Sequence, residues 1–423
     1  MATQQFSALT IALTKSLSKD DKKDFGIFIT PHTIVIKLVN NIKHYAKEKE
    51  LSIKTILEPA CGTCAIVEHC DIAFTGVTID AVEYNATVFA AVKDLPFTTN
   101  QNKVAIHHAD FMAYNSAIMY DLSVSNPPYV VCEKGYKVPT DYSEYIIGRP
   151  NLFGLFILKQ LSLTRVGGLA AFIIPKSFMN SSYYGKIRDY IKATCKIVSL
   201  EDYTLDNDFI DTQQATFGLI LHKMNEIAEL ALKDCLYSVK IGEHYAFTPD
   251  ALALKELLKG STTLAQLGFA VRTGNIVWNQ CKAGNTDGKP ELTADATQTV
   301  LIYDSNITKD HKIKLMTFKN EEKRQYIKRE GRTDTVLAVK RGHGNSAYKL
   351  NYALIDMTSL NNRPYLCENH INEIYLVKKG DASALFIKIM KSFENPKTQQ
   401  FIDLFLGNNG LSKTELETLF PIY

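Results

Sequence analysis

Ser52-Ile53-Lys54-Thr55-Ile56-Leu57-Glu58-Pro59-Ala60-Cys61-Gly62 is the stretch on which the fold turns. Ser52 to Leu57 reads as a short buried strand, and it runs straight into an acid, a proline and a small-residue turn. Upstream, residues 33–50 read as a helix with Ile34, Leu38, Ile42 and Tyr45 on one face. Downstream the same alternation repeats. A helix leads to a strand at Phe74–Asp80 and an alanine-rich helix over Ala81–Val92, and strands follow at Val104–His107 and Asp121–Ser125. A helix over Leu152–Leu163, a strand at Leu169–Ile174, a helix over Tyr183–Thr194 and a strand at Gln214–His222 complete the series. Strands alternating with helices imply an α/β, doubly wound parallel sheet, with ligands at the carboxyl ends of its strands.

The rhythm fades after Asn225. Glu226–Gly260 suits a hairpin and a linking helix. From Thr262 onward there are short strands, polar loops and a late helix over Ala382–Ser392, a mixed α+β pattern. The expected organisation of the 423 residues is therefore a domain over 1–259 and another over 260–423.

Composition removes several classes. Met1–Ser18 lacks the apolar run and cleavage site of a secretory signal, and no apolar stretch approaches the roughly 20 residues that span a bilayer. The expectation is a cytoplasmic protein without a membrane partner, or a nuclear one in a eukaryotic cell. The eight cysteines are scattered, as free thiols usually are. Cys61-Gly-Thr-Cys64 has redox or zinc spacing, but no second pair follows it. The net charge of +3 decides nothing, but its distribution does: Lys309–Lys349 holds twelve basic residues against five acids, +7. Such a segment suits a phosphate backbone, or a merely solvated surface.

The strongest chemical signal is Ser125-Asn126-Pro127-Pro128-Tyr129, directly after an apolar strand. An adenine amine is a poor nucleophile because its lone pair is delocalised into the ring. Two acceptors aimed at its hydrogens draw the nitrogen towards sp³, and the Asn126 side-chain oxygen and Pro127 carbonyl can supply them. The prolines stiffen the backbone, which preorganises the acceptors. Tyr129 offers a ring to stack on the base. Glu58, at a strand end, can pair with an ammonium, and Pro59-Ala60-Cys61-Gly62 lets a ligand approach the backbone. Asp110 can accept from an adenine amine while Phe111 packs on the ring.

Together these residues resemble the γ class of N6-adenine DNA methyltransferases of restriction–modification systems, over about residues 20–223. The resemblance implies S-adenosylmethionine as cofactor, no metal, and methylation of a flipped adenine in double-stranded DNA at a specific sequence. It also implies a monomer of bacterial or viral origin, with a separate cognate restriction endonuclease as a partner. Phe28-Ile29-Thr30-Pro31 looks like the motif that caps the methionine end of the cofactor, and Glu58–Gly62 like the main cofactor loop, which accounts for Cys61 and Cys64 without metal. Asp110 and Phe111 match the adenine-binding pair, Asn126–Tyr129 the catalytic motif, and Asn151–Phe156 the helix behind it. Asp208-Phe209-Ile210 stands where the family keeps an aromatic residue on the second face of the base. One departure concerns the ribose. The family has a carboxylate in a GVEID-like stretch, whereas this chain reads Gly76-Val77-Thr78-Ile79-Asp80. Ile79 and Asp80 are therefore assigned to the cofactor, with Glu83 as the other candidate for the ribose.

Thr262–Gly268 resembles the opening of a DNA target-recognition domain. Within it, Lys340-Arg341-Gly-His343-Gly-Asn345 is the expected reading segment, with Arg341, His343 and Asn345 able to address base edges. A polar hairpin with two turn glycines is an equal reading of that segment. Trp278 is expected in the core. Other substrates with a planar amide or amine, such as a guanine in RNA or a protein glutamine, share the Asn-Pro-Pro-Tyr motif. Their accessory domains usually precede the catalytic part, however. A nuclease fusion finds no PD…(D/E)xK set here, and a non-enzymatic DNA-binding module does not need an intact Asn126–Tyr129.

Overall fold

Alternate residues of one strand, Thr164–Pro175, feed two different cores: Leu169, Ala171 and Ile173 enter one, Ala170, Phe172 and Ile174 the other. A strand buried on both faces belongs in the middle of a sheet covered by helices on each side, and the computed structural model places it there. The structure describes residues 30–97, 101–203, 215–224, 236–281, 291–320, 322–342, 348–378, 380–406 and 410–423. Phe28, Ile29, Phe209, His343 and Asn345 lie outside the described residues.

The chain divides into two compact units, Met1–Ala251 and Leu252–Tyr423. In the first, helix α1 (His32–Glu48) precedes β1 (Thr55–Glu58), α2 (Ala65–Ala73), β2 (Thr78–Glu83), α3 (Ala86–Val92), β3 (Lys103–His108) and β4 (Tyr120–Ser125). Helix α4 (Leu152–Leu163), β5 (Thr164–Pro175), α5 (Gly185–Thr194), β6 (Cys195–Asp202) and β7 (Thr216–Lys223) follow, then a hairpin of β8 (Ser238–Ile241) and β9 (His244–Phe247). The seven-stranded sheet has the order β3-β2-β1-β4-β5-β7-β6. Neighbours from β3 to β5 pair in parallel, and β7 is antiparallel to both β5 and β6. The order reverses between β1 and β4, and such a switch point leaves a crevice at the strands' carboxyl ends.

The expected second strand, Phe74–Asp80, and helix, Ala81–Val92, are both displaced. Helix α2 runs on to Ala73, Gly76 takes a turn at φ +68°, and β2 occupies Thr78–Glu83. Asn85 then caps α3, its side chain accepting from the Thr87 and Val88 amides at 3.0 and 3.1 Å. A capped start at Ala86 frees Ala81–Glu83 for the strand.

The second unit is mixed α+β. Its strands are β10 (Phe269–Thr273), β11 (Glu291–Thr293), β12 (Thr299–Ile302), β13 (Tyr326–Lys328), β14 (Val336–Lys340), β15 (Tyr352–Ile355), β16 (Tyr365–Cys367) and β17 (Ile371–Leu376). They form two four-stranded sheets, β10-β17-β14-β15 and β11-β13-β12-β16. Helices Ser383–Phe393, Pro396–Phe405 and Lys413–Thr418 follow. Trp278 packs against the core of Ile276, Leu301, Tyr303 and Ile327. Part of the basic segment is engaged within this fold. Arg332 reaches the buried Glu373 at 3.0 Å, and Lys328 reaches Glu291 at 2.9 Å. The Lys323 ammonium lies over the rings of Tyr303, Phe318 and Trp278 at 4.1, 4.7 and 5.3 Å.

Candidate active site

β1, β2 and β4 end in Glu58, Glu83 and Ser125, and the candidate residues gather just beyond them. Glu58 is 1% exposed, and neither carboxylate oxygen has a hydrogen-bond partner among the described residues. Burial, with Cys64 and Glu83 nearby, pushes its pKa well above the ordinary carboxylate value. An unpaired buried carboxylate is costly unless a ligand completes it. An amino-acid ammonium has the charge and the donors to do so, and S-adenosylmethionine carries one.

The loop after Glu58 is tied to the end of β2. The Cys61 amide donates to the Val82 carbonyl at 3.0 Å, and the Gly62 amide donates to Glu83 Oε2 at 2.9 Å. Pro59 and Cys61 are buried and Ala60 half-buried. Gly62 sits at φ +50°, and no described residue lies within 4 Å of the place a Cβ would occupy. A glycine is needed there for its backbone angle, and the space beside it is open to a ligand. The Cys61 thiol is pushed up by its hydrogen bond to Cys64 and by burial. Buried, protonated thiols are inert.

The assignment of Ile79 and Asp80 requires correction. Ile79 is fully buried in the core, and Asp80 stands inside the strand, bonded to His107 Nε2 at 3.1 Å and accepting from the Tyr120 hydroxyl at 2.8 Å. The carboxylate at the strand end is Glu83. Its Oε1 accepts from the Asn85 amide at 2.7 Å, and burial raises its pKa against the lowering effect of its backbone hydrogen bonds. The signal that would have found it is the Asn85 cap.

Phe111 is also placed otherwise than expected. It is 1% exposed, packed with Leu57, Val82, Tyr120 and Phe156, and the Lys159 ammonium lies over its ring at 5.2 Å. Burying such a ring is worth about 1.5–3 kcal/mol, and here it packs in one cluster with Leu57 of β1, Val82 of β2 and Tyr120 of β4. Asp110 is exposed and closes the turn after β3, accepting from the Met112 amide at 2.8 Å.

Beyond β4 the geometry is tight. Asn126 Nδ2 donates to Thr30 Oγ1 at 2.8 Å. The single phenolic proton of Tyr129 is shared between Asn126 Oδ1 at 2.7 Å and the Ile173 carbonyl at 2.8 Å. Burial of that hydroxyl raises its pKa strongly, so it stays a donor. The half-buried Tyr129 ring meets Phe153 edge-on, with centroids 6.0 Å apart. Pro127 is buried. The backbone beyond is pinned by Leu152 N–H to Val130 O at 2.7 Å and Cys132 N–H to Pro150 O at 2.9 Å. The Asn151 side chain caps α4 by accepting from Phe153 N. Ser125 donates to Gln160 Oε1 of α4 at 2.8 Å, in full burial. Thr30, expected at the methionine end of a cofactor, thus holds Asn126 directly, a link that sequence reasoning missed.

In the second unit, Lys340 ends β14, its amide donating to Asn351 O at 2.9 Å and its carbonyl accepting from the Tyr348 hydroxyl at 2.7 Å. Arg341 is half-buried, and its Nη1 donates to the Asn369 carbonyl at 3.0 Å. Part of that guanidinium therefore serves the fold. Among the described residues no helix is long and apolar enough to cross a membrane.

The strand order with its single reversed strand, and the candidate site at the ends of β1, β2 and β4, make the first unit a doubly wound α/β domain with its site at the switch point. Residues 74–209 match the family described as Eco57I restriction-modification methylase. The chain is 26% identical, over 425 residues and 100% of both chains, to Modification methylase CviBIII of Paramecium bursaria Chlorella virus NC1A. It is 24% identical, over 99% of both chains, to Type II methyltransferase M.CvrRI of Paramecium bursaria Chlorella virus XZ-6E. A solved type IIG restriction endonuclease, BpuSI, superposes with a TM-score of 0.42 at 12% identity, covering 93% of this chain and 58% of that one. The chain is an enzyme, a methyltransferase similar in sequence to those of restriction–modification systems.

Proposed function

We propose that the protein methylates the N6 amine of an adenine flipped out of duplex DNA, at a specific sequence. The observation that carries this is Asn126, held at one end by Thr30 and at the other by Tyr129. An amide so clamped needs no reorganisation when its oxygen accepts from an amine, which is the condition for electrostatic preorganisation. An amide oxygen accepts two hydrogen bonds, here one from Tyr129 and one from the target. The Pro127 carbonyl accepts the second amine hydrogen. The amine nitrogen would take the methyl carbon as the sulfonium carbon–sulfur bond breaks and sulfur leaves as a neutral thioether, and the nitrogen would then lose a proton to solvent. Bound S-adenosylmethionine supplies an activated methyl group on a sulfonium, so no Lewis acid is called for.

Glu58 holds the amino-acid end of the cofactor, and Glu83 its ribose. Tyr129 acts as a positioning residue as well as a surface for the base, with Phe209 on the other face. Flipping costs a few kcal/mol of unstacking, which contacts made by the second unit offset. Residues after Lys259, with Lys340, Arg341, His343 and Asn345 among them, read the DNA. The enzyme works as a cytoplasmic monomer, beside a separate endonuclease of the same specificity. Labelled cofactor incubated with duplex DNA, RNA and protein, each with and without a chelator, tests the reading. Label in N6-methyladenine of DNA in both conditions is expected. Label confined to RNA or protein overturns it.

Glu83→Gln should weaken cofactor binding about tenfold or more, because a buried charge-assisted hydrogen bond is worth about 1.5–3 kcal/mol. Asp80→Asn should leave affinity within about threefold, since Asp80 stands away from the strand end, bonded to His107 and Tyr120. Calorimetry with S-adenosylmethionine compares them, and the reverse ranking returns the ribose to Asp80. For Arg341→Ala, the preference for the cognate duplex over a one-base variant should fall by about 1–3 kcal/mol if the contact is bidentate. Equal slowing of both duplexes would reduce Arg341 to its bond with Asn369.

A further inference from the structure

His32, Glu68 and His69 form a cluster that the methyl-transfer chemistry leaves unused. Each offers one ligand atom, and the three atoms lie within 4.8 Å of one another. His32 opens helix α1, and Glu68 and His69 sit in the early part of α2, just past the loop that starts at Glu58. Two imidazoles and one carboxylate are the donor set of borderline divalent ions, zinc above all, rather than of magnesium or calcium, which prefer all-oxygen sites.

A second observation concerns orientation. His69 Nδ1 lies 2.8 Å from the Ala65 carbonyl. A carbonyl only accepts, so Nδ1 carries the proton and Nε2 carries the lone pair. Metal-binding histidines are fixed in this way by a backbone carbonyl on the other ring nitrogen. The two imidazole rings lie with centroids 5.1 Å apart, tilted by 49°, so they converge rather than stack. Ligands about 2.0–2.2 Å from a tetrahedral zinc are separated by about 3.3 Å. Small rotamer changes of three side chains, none of them fully buried, close the difference.

We propose that His32, Glu68 and His69 bind one zinc-class divalent ion, which ties the start of α1 to α2. The tie has a consequence for the site. Thr30, two residues before His32, holds Asn126, and α2 follows the loop anchored by Glu83. An ion at this position joins the two segments that flank the reacting centre, while standing outside the chemistry itself. Both helix starts oppose a cation through their dipoles. The single carboxylate offsets this only in part, so the expected affinity is about micromolar rather than that of a closed structural site.

The test uses the full chain without a polyhistidine tag, titrated with zinc alone by calorimetry and followed by thermal unfolding. One equivalent should bind, and the thermal midpoint should rise with it. Glu68→Gln and His69→Ala should each weaken binding at least about tenfold and remove the rise. Glu68 is exposed, so its variant carries the test even if His69→Ala folds poorly. X-ray absorption of the zinc-loaded protein should show nitrogen and oxygen ligands only. The proposal is overturned by an absence of saturable binding, or by variants that bind as tightly as the wild type. A sulfur ligand at about 2.3 Å also overturns it, since that would assign the ion to Cys61 and Cys64.

Discussion

Asn126→Ala is expected to lower the rate of DNA methylation at least about a hundredfold, the usual loss when a preorganised electrostatic group is removed. Cofactor affinity should change little, because the amide acts on the acceptor amine and not on the methyl donor. The structure gives a reason to expect a full loss rather than a partial one. Asn126 is the meeting point of Thr30 from the start of α1, Tyr129 from its own loop and, through Tyr129, the Ile173 carbonyl of β5. Truncation also strands the buried Thr30 hydroxyl, a cost of about 1–3 kcal/mol to stability. Thermal unfolding and calorimetry on the same preparation separate that cost from the catalytic one. A variant that keeps more than about a tenth of the wild-type rate at saturating cofactor and DNA would remove Asn126 from the mechanism.

The legible parts of the fold were those with strong local signals. Helix α4 lies where its apolar run over Leu152–Leu163 put it. β4 is the apolar strand that Pro127 and Pro128 follow, and it and the Asn126–Tyr129 loop lie where the sequence puts them. β2 did not. Phe74-Thr-Gly-Val reads as strand, but Phe74 ends a helix and Gly76 makes the turn, so the strand starts four residues later than expected. That slip moved the strand-end carboxylate from Glu83 to Asp80. A sheet position is set by pairing across strands, here Glu58 with Ala81, and pairing is not written in one strand's own residues. β6 escaped notice because Cys195 follows α5 without a turn and its burial does not alternate. In the second unit the charge pattern was visible, but the engagement of Arg332 with Glu373 and of Lys323 with three rings was not. Those contacts join residues far apart in the chain.

The other large effect is expected at Glu58. Glu58→Gln keeps the shape of the side chain and removes its charge. Without the cofactor, Glu58 is a buried carboxyl with no partner among the described residues, and burial raises its pKa. A raised folded pKa means that the folded protein binds the proton more tightly than the unfolded chain does. The stability this gives is fully present below the unfolded value of about 4.3, and it is lost as pH rises through the folded value. The cofactor-free wild type should therefore lose stability relative to Glu58→Gln as pH rises above the unfolded value of about 4.3. With S-adenosylmethionine the order should reverse. The ammonium pairs with the ionised carboxylate, and removing one partner of a buried charge pair costs about 2–5 kcal/mol, or about thirtyfold to several thousandfold in affinity. Cofactor affinity of the wild type should accordingly fall as pH drops through the raised pKa of Glu58, since the protonated carboxyl must ionise before it pairs. In Glu58→Gln that dependence should vanish along with most of the affinity. The measurements are thermal unfolding across pH without cofactor, and calorimetry across the same range with it. Equal cofactor affinity in the two proteins would place the ammonium elsewhere. A variant that binds poorly but is also less stable than the wild type at every pH above the unfolded value would mean that Glu58 is a fold residue whose partner lies in the protein.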